Sequence, residues 1–187
     1  NIVQDNDRIG ILDIEFFSLN FKANKGFILT YVLKEYHKDN YYSSMIDFKD
    51  MKNRNIRDKN ITQKLVDDIS KFDIIIGYYS NRCDLPFVRT RALFHDIIFP
   101  FYNTIKQIDL WEWVRYKMSL DRNTLRNATK ITHIIGKDHA DLDLWMDTAI
   151  CGDKKALQEI FKHNAIDVKI TERLYDRLKN YMSGTIK

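Results

Sequence analysis

The sequence predicts an α/β protein: a mixed sheet of three antiparallel strands and then parallel strands, flanked by helices. Three observations carry the prediction. The first third of the chain reads as strand-forming runs separated by short polar gaps. The remainder changes to alternating helix-period and strand-period segments. Two prolines and six glycines are too few to separate domains, and no repeat, low-complexity tract or linker interrupts the 187 residues. One domain over 1–187 is therefore expected.

The elements follow in order. Residues 8–16, 26–33 and 41–47 read as strands, and the gaps at 20–25 and 38–40 favour antiparallel hairpins. Residues 62–72 place Leu65, Val66, Ile69 and Phe72 at helical spacing. Residues 73–78, with Ile74, Ile75 and Ile76, read as a buried strand, and 85–94 as a helix with Pro86 in its first turn. Residues 105–110 are expected as a strand. Helices are then expected over 110–118, 123–135, 142–150 and 154–180, the last with a break near His163.

Composition sets outer bounds. A 44% hydrophobic fraction supports a real core, and 13% aromatic residues argue against disorder. A net charge of +4 permits a polyanionic partner without requiring one. Cys83 and Cys151 are too few for a disulfide framework and lack zinc-ligand spacing, so a reducing cytoplasm fits. No apolar run approaches the roughly 20 residues that span a bilayer, so no membrane partner is expected. The opening Asn1 to Asp7 is polar and acidic, unlike a signal peptide.

Acids in apolar settings are the informative feature. Asp13 and Glu15 lie two apart in a strand whose neighbours are Ile11, Leu12, Ile14 and Phe16, so both leave one face of what reads as a central strand. Asp84 follows the buried strand and starts a helix, where capping and metal ligation are equally compatible with its two oxygens. His163 and Asp167 are four apart and share a helical face. Alone, an ordinary surface pair accounts for most His/Asp pairs at this spacing; the functional alternative is a metal ligand with a histidine whose pKa suits proton transfer. Unsatisfied acids are costly in a core. Four carboxylates suit hard oxygen-seeking cations such as Mg²⁺ or Mn²⁺, two of which would balance their charge.

These segments resemble the three motifs of the DEDD superfamily of 3′–5′ exonucleases. Asp13-Ile14-Glu15 resembles the first motif, residues 77–91 the second, and His163-Asn164-Ala165-Ile166-Asp167-Val168 the third. The stretch Gly152-Asp153-Lys154-Lys155-Ala156-Leu157 is similar to that of a subset, the predicted ribonuclease-H-like exonucleases. The resemblance implies a ribonuclease-H-like core. It also implies that Asp13, Glu15, Asp84 and Asp167 bind two metals, and that His163 orients or activates water. Two departures are visible. His163 stands at the spacing where one branch has Tyr, and the other branch's histidine position holds Lys162. The first motif often continues Thr-x-Gly-Leu, whereas here it reads Phe16-Phe17-Ser18-Leu19. Leu19 keeps the place of a wedge against a terminal base, and Phe16 replaces the threonine that relatives use there.

Signals for substrate are weaker. Residues 49–64 carry a local charge of +4, from Lys49, Lys52, Arg54, Arg57, Lys59 and Lys64 against Asp50 and Asp58, and read equally as a solvated loop or a phosphate contact. Arg89 and Arg91 suit a backbone contact or pairing with nearby acids. Phe17 and Tyr79 stand where bases could stack. Trp111, Trp113 and Trp145 are assigned to packing. The expected activity is trimming of single-stranded DNA or RNA 3′ ends. A binding module without turnover and a structure-specific endonuclease are the alternatives, and an adjoining polymerase or helicase is not decided by sequence.

Overall fold

The structure, a computed structural model, describes residues 3–4, 6–53, 55–135 and 143–182. Its frame is a five-stranded sheet of order β3-β2-β1-β4-β5. β1 (Ile9–Ser18), β2 (Gly26–Glu35) and β3 (Tyr41–Met45) form an antiparallel meander, while β4 (Ile74–Gly77) and β5 (Lys106–Asp109) extend the other side of β1 in parallel. The mixed sheet expected from sequence is present, with the acid-bearing β1 at its centre. Ile74, Ile75 and Ile76 are fully buried, as a parallel strand covered on both faces requires.

Among the described residues, seven α-helices cover the sheet: α1 (Phe48–Lys52), α2 (Lys59–Ile69), α3 (Asp84–Phe94), α4 (Leu110–Lys117), α5 (Leu125–Ile131), α6 (Asp143–Met146) and α7 (Lys154–Met182). The strand pleat sorts β1 into two cores. Leu12 and Ile14 pack with Leu65, Val66 and Ile69 of α2 and Leu85, Val88 and Ala92 of α3. Ile9 and Ile11 pack with Val114 of α4, Ala128 of α5, and Val168 and Leu174 of α7. Among the described residues, no helix is long and apolar enough to cross a membrane.

Several boundaries differ from the sequence reading. α2 begins at Lys59 and ends before Phe72. The expected break near His163 is absent: α7 runs 29 residues without Pro or Gly, and Asn164 packs inward where a break was expected. The helix expected over 142–150 is a short α6 followed by a π-helical turn, Asp147–Cys151, which closes on Gly152 at φ 68; residue 142 lies outside the described residues. α1 and two 3-10 turns, Leu19–Phe21 and Ala23–Lys25, are too short for periodicity to reveal. The pairing of β1 with β2 shifts after Glu15, since Glu15 faces Thr30 whereas Phe16 faces Ile28. Leu29 is thus the extra residue of a β-bulge.

Candidate functional site

Asp13 and Glu15 leave β1 on the face that Ile11 presents to α7, midway along the strand. Two neutral donors meet them there. The Asn164 side-chain amide of α7 donates to Asp13 Oδ2 at 2.5 Å, and the Trp145 indole of α6 donates to Glu15 Oε2 at 3.2 Å. Both acids are half-buried.

Asp84 arrives from the other direction. β4 ends at Gly77, where any side chain would overlap Ser80, and the chain turns through Tyr79 at φ 64 before entering α3. Left-handed backbone at a tyrosine carries strain of about 1–3 kcal/mol. Asp109 holds this turn in place: its Oδ1 accepts the Tyr79 N–H at 2.8 Å and its Oδ2 the Asn81 N–H at 2.9 Å. Asp109 also caps α4 by accepting the Trp111 N–H at 2.9 Å. The cap position of α3 belongs to Cys83, with no side-chain bond, and Asp84 is the first helical residue. This corrects the expectation that Asp84 could itself cap the helix.

Electrostatics shows the acids converging. Asp84 is 7% exposed. Burial, then Asp13, then Asp109 drive its carboxyl well above the usual carboxylate range. The neighbouring Cys83 thiol is pushed up to about 12 by burial first and then by Asp84, Asp13 and Glu15. Burial also raises Asp109, against its three backbone donors. Asp13 and Glu15, midway along β1, and Asp84, past the carboxyl end of β4, are therefore electrostatic neighbours. His163 and Asp167 sit half-buried on α7, and Asp167 shares the face of Asn164, the residue that reaches Asp13.

The donor set suits a hard divalent cation. Such ions take carboxylate oxygens, and positive charge would relieve the like-charge pressure on Asp84. In the present geometry, among the described residues, no group of three or more His, Cys, Asp or Glu side chains is arranged to hold a metal ion.

The residues expected at substrate occupy varied settings. Leu19 is 59% exposed and Tyr79 42% exposed, with the Tyr79 ring edge-on to Trp111 at 4.8 Å. Phe16 stacks on Phe87 at 3.9 Å, and Phe17 tilts against Phe27 at 5.7 Å, so both rings join the packing of the α2–α3 core. The Arg89 guanidinium lies over Phe99 and Tyr102. Arg91 is buried in an ion pair with Asp58. In the basic run, Lys64 bonds Asp68 and the Tyr31 hydroxyl, and Arg57 lies over Phe27; Arg54 lies outside the described residues.

Thr30, Asp109 and Asn164 were given no site role from the sequence, and Trp145, read there as packing, also donates to Glu15. Asn164 had a legible sign: in α7 the buried series Leu157, Ile160, Asn164, Val168, Thr171, Leu174 and Leu178 is apolar except at Asn164 and Thr171. A lone amide on an apolar helical stripe needs a polar partner.

A family model described as RNase_H superfamily matches residues 11–179. The chain belongs to the RNase_H superfamily. Among solved structures it is similar to the family B DNA polymerase from the hyperthermophilic archaeon Pyrobaculum calidifontis, with a TM-score of 0.72 at 16% identity over 94% of this chain. The match spans 25% of the polymerase chain, so the likeness extends to about a quarter of that protein and concerns the fold. No curated protein matches the chain by sequence.

Proposed function

We propose that this chain is a metal-dependent nuclease that hydrolyses phosphodiester bonds at single-stranded nucleic-acid ends in the 3′–5′ direction. The observation that carries the reading is Asp84: a buried carboxyl pressed by Asp13 and Asp109, on a turn braced at strain beside the central strand. Like-charged groups gathered on rigid elements have no stabilising use and a clear binding one. Asp13, Glu15, Asp84 and Asp167 would hold two divalent cations, Mg²⁺ or Mn²⁺. When bound, these supply positive charge against the attacking and leaving oxygens of the displacement.

The chain's own residues do the remainder. The β1 pair and Asp84 fix the site on the sheet, while Trp145 and Asn164 orient the two β1 carboxylates. His163 lies one helical turn before Asp167 and is proposed to take the proton of the attacking water. Leu19 and Tyr79, both exposed, are proposed to meet the terminal bases. Membership of the RNase_H superfamily and the fold shared with a DNA polymerase support a nucleic-acid substrate.

The test is a cleavage time course on 5′-labelled single-stranded DNA and RNA with Mn²⁺, Mg²⁺ or EDTA, beside the Asp84→Ala variant. The expected result is a metal-dependent ladder shortening from the 3′ end and absent in the variant. Cutting of a covalently closed circle would assign an endonuclease instead. Salt-sensitive binding with no cleavage in either metal would leave a binding module.

A further inference from the structure

Asn164 has properties that neither packing nor helix formation explains. It is fully buried in the middle of α7, where an aliphatic residue would continue the stripe of Ile160 and Val168. Its two polar atoms are both used, in a fixed sense. The amide Nδ2 donates to Asp13 Oδ2 at 2.5 Å, and the carbonyl Oδ1 accepts the Thr30 hydroxyl at 3.0 Å. A carboxylate only accepts, so Asp13 dictates which end of the amide faces it, and the Thr30 hydroxyl must then donate to the other end. Thr30 is itself fully buried on β2, directly opposite Glu15 in the β1–β2 register. One chain of hydrogen bonds thus runs from β2 through α7 to an acid of β1.

The choice of donor matters. Arg91 meets Asp58 in a bidentate ion pair that cancels the acid's charge. A carboxamide holds its carboxylate by one hydrogen bond and leaves the negative charge in place for a cation. Alanine at 164 would remove this orienting hydrogen bond from Asp13; an arginine there would compete for its charge.

We infer that Asn164 is a positioning residue for this site, anchored by Thr30, which presets the Asp13 carboxylate for divalent-cation binding. The inference rests on the metal-dependent reading proposed above. Loss of a hydrogen bond that orients a ligand typically weakens metal affinity or activity about 10–100-fold.

The experiment uses the full chain and Mn²⁺ alone as probe, titrated calorimetrically without nucleic acid, with kcat, KM and melting temperature measured in parallel. Asn164→Leu keeps the volume and removes both polar atoms. Its Mn²⁺ dissociation constant is expected to rise about tenfold or more, and kcat to fall about 10–100-fold with KM unchanged. Thr30→Val should produce a smaller change in the same direction, and Thr30→Ser, which restores the hydroxyl, should recover wild-type affinity. This second pair decides the matter if Asn164→Leu does not fold. Wild-type Mn²⁺ affinity in a folded Asn164→Leu, or, where that variant does not fold, equal affinity in Thr30→Val and Thr30→Ser, overturns the inference and leaves the nuclease reading standing. Failure of the wild-type chain to bind Mn²⁺ overturns both.

Discussion

Helix α3 meets a buried acid near each end, and the fold treats the two in opposite ways. Toward its carboxyl half stands Asp58, 1% exposed. It accepts Arg91 Nε at 2.9 Å and Nη2 at 2.5 Å, accepts the Ile28 N–H at 2.9 Å, and lies 2.7 Å from His95 Nε2. At the amino end stands Asp84, 7% exposed, whose charged neighbours are Asp13 and Asp109. The first acid is neutralised and fully bonded, so it ties β2, the loop before α2 and α3 together. The second is raised toward protonation by burial first and then by like charge. A fold able to neutralise Asp58 so completely, seven residues along the same helix, leaves Asp84 among acids. The contrast separates an acid that holds the structure from one that is held for a ligand.

The comparison breaks most sharply at Asp84. Asp84→Asn is expected to lower metal-dependent cleavage by about three orders of magnitude, the scale of removing one preorganised electrostatic group. In metal-free buffer at neutral pH the same change should raise the melting temperature, by roughly 2–4 °C for each kcal/mol of repulsion relieved. Calorimetric scans with and without Mn²⁺ check both halves. A variant that loses stability as well as activity would place Asp84 with Asp58.

Arg91→Ala should do the reverse. Breaking a buried pair leaves an uncompensated charge and costs about 3–5 kcal/mol, read as a lower urea midpoint, while cleavage by the remaining folded fraction is unchanged. Asp109→Ala should fall between the two. It removes the acceptor of three backbone N–H groups, costing about 1–3 kcal/mol, and it loosens the turn that delivers Asp84, so stability and activity decline together.

The smallest effect belongs to the periphery. Lys38 first, then Arg8 and Asn40, lower the Glu35 carboxyl to about 2, against the desolvation that opposes them. A depressed carboxylate stabilises the fold above its unfolded pKa, and that contribution disappears as pH falls from about 4.5 toward 2. Lys38→Ala should flatten this acid limb by less than about 1 kcal/mol, because the lysine is exposed and screened. Urea midpoints at pH 7 and pH 3 provide the measurement.

Much of the fold was legible because its signals are local. Ile74 to Ile76 announce a buried strand, and the Leu65, Val66 and Ile69 spacing announces α2. Asp13 and Glu15 stood out because charge is rare inside an apolar run. The missed parts depend on contacts far apart in sequence. Asn164 meets Asp13 across 151 positions, and Trp145, read as packing, meets Glu15 across 130. Arg91 was read as facing either a phosphate backbone or an acid, and its partner Asp58 is 33 positions away. Asp109 lay inside the strand expected over 105–110, where nothing in the sequence shows that its oxygens fasten another loop. The short α1 and the π-helical turn before Gly152 have too few residues to display a period.

The bulge at Leu29 gives β1 a direction that folding itself can check. Pairing one residue out of step would turn Leu12 and Ile14 toward α7 and drive Asp13 and Glu15 into the apolar layer beneath α2 and α3. Two carboxylates stranded among leucine and isoleucine side chains would cost several kcal/mol, enough to empty the misaligned state. During assembly, Asp13 and Glu15 therefore act as a register check on the central strand, and the sheet that reaches its lowest energy is the one that has already gathered the acids on the side of α7.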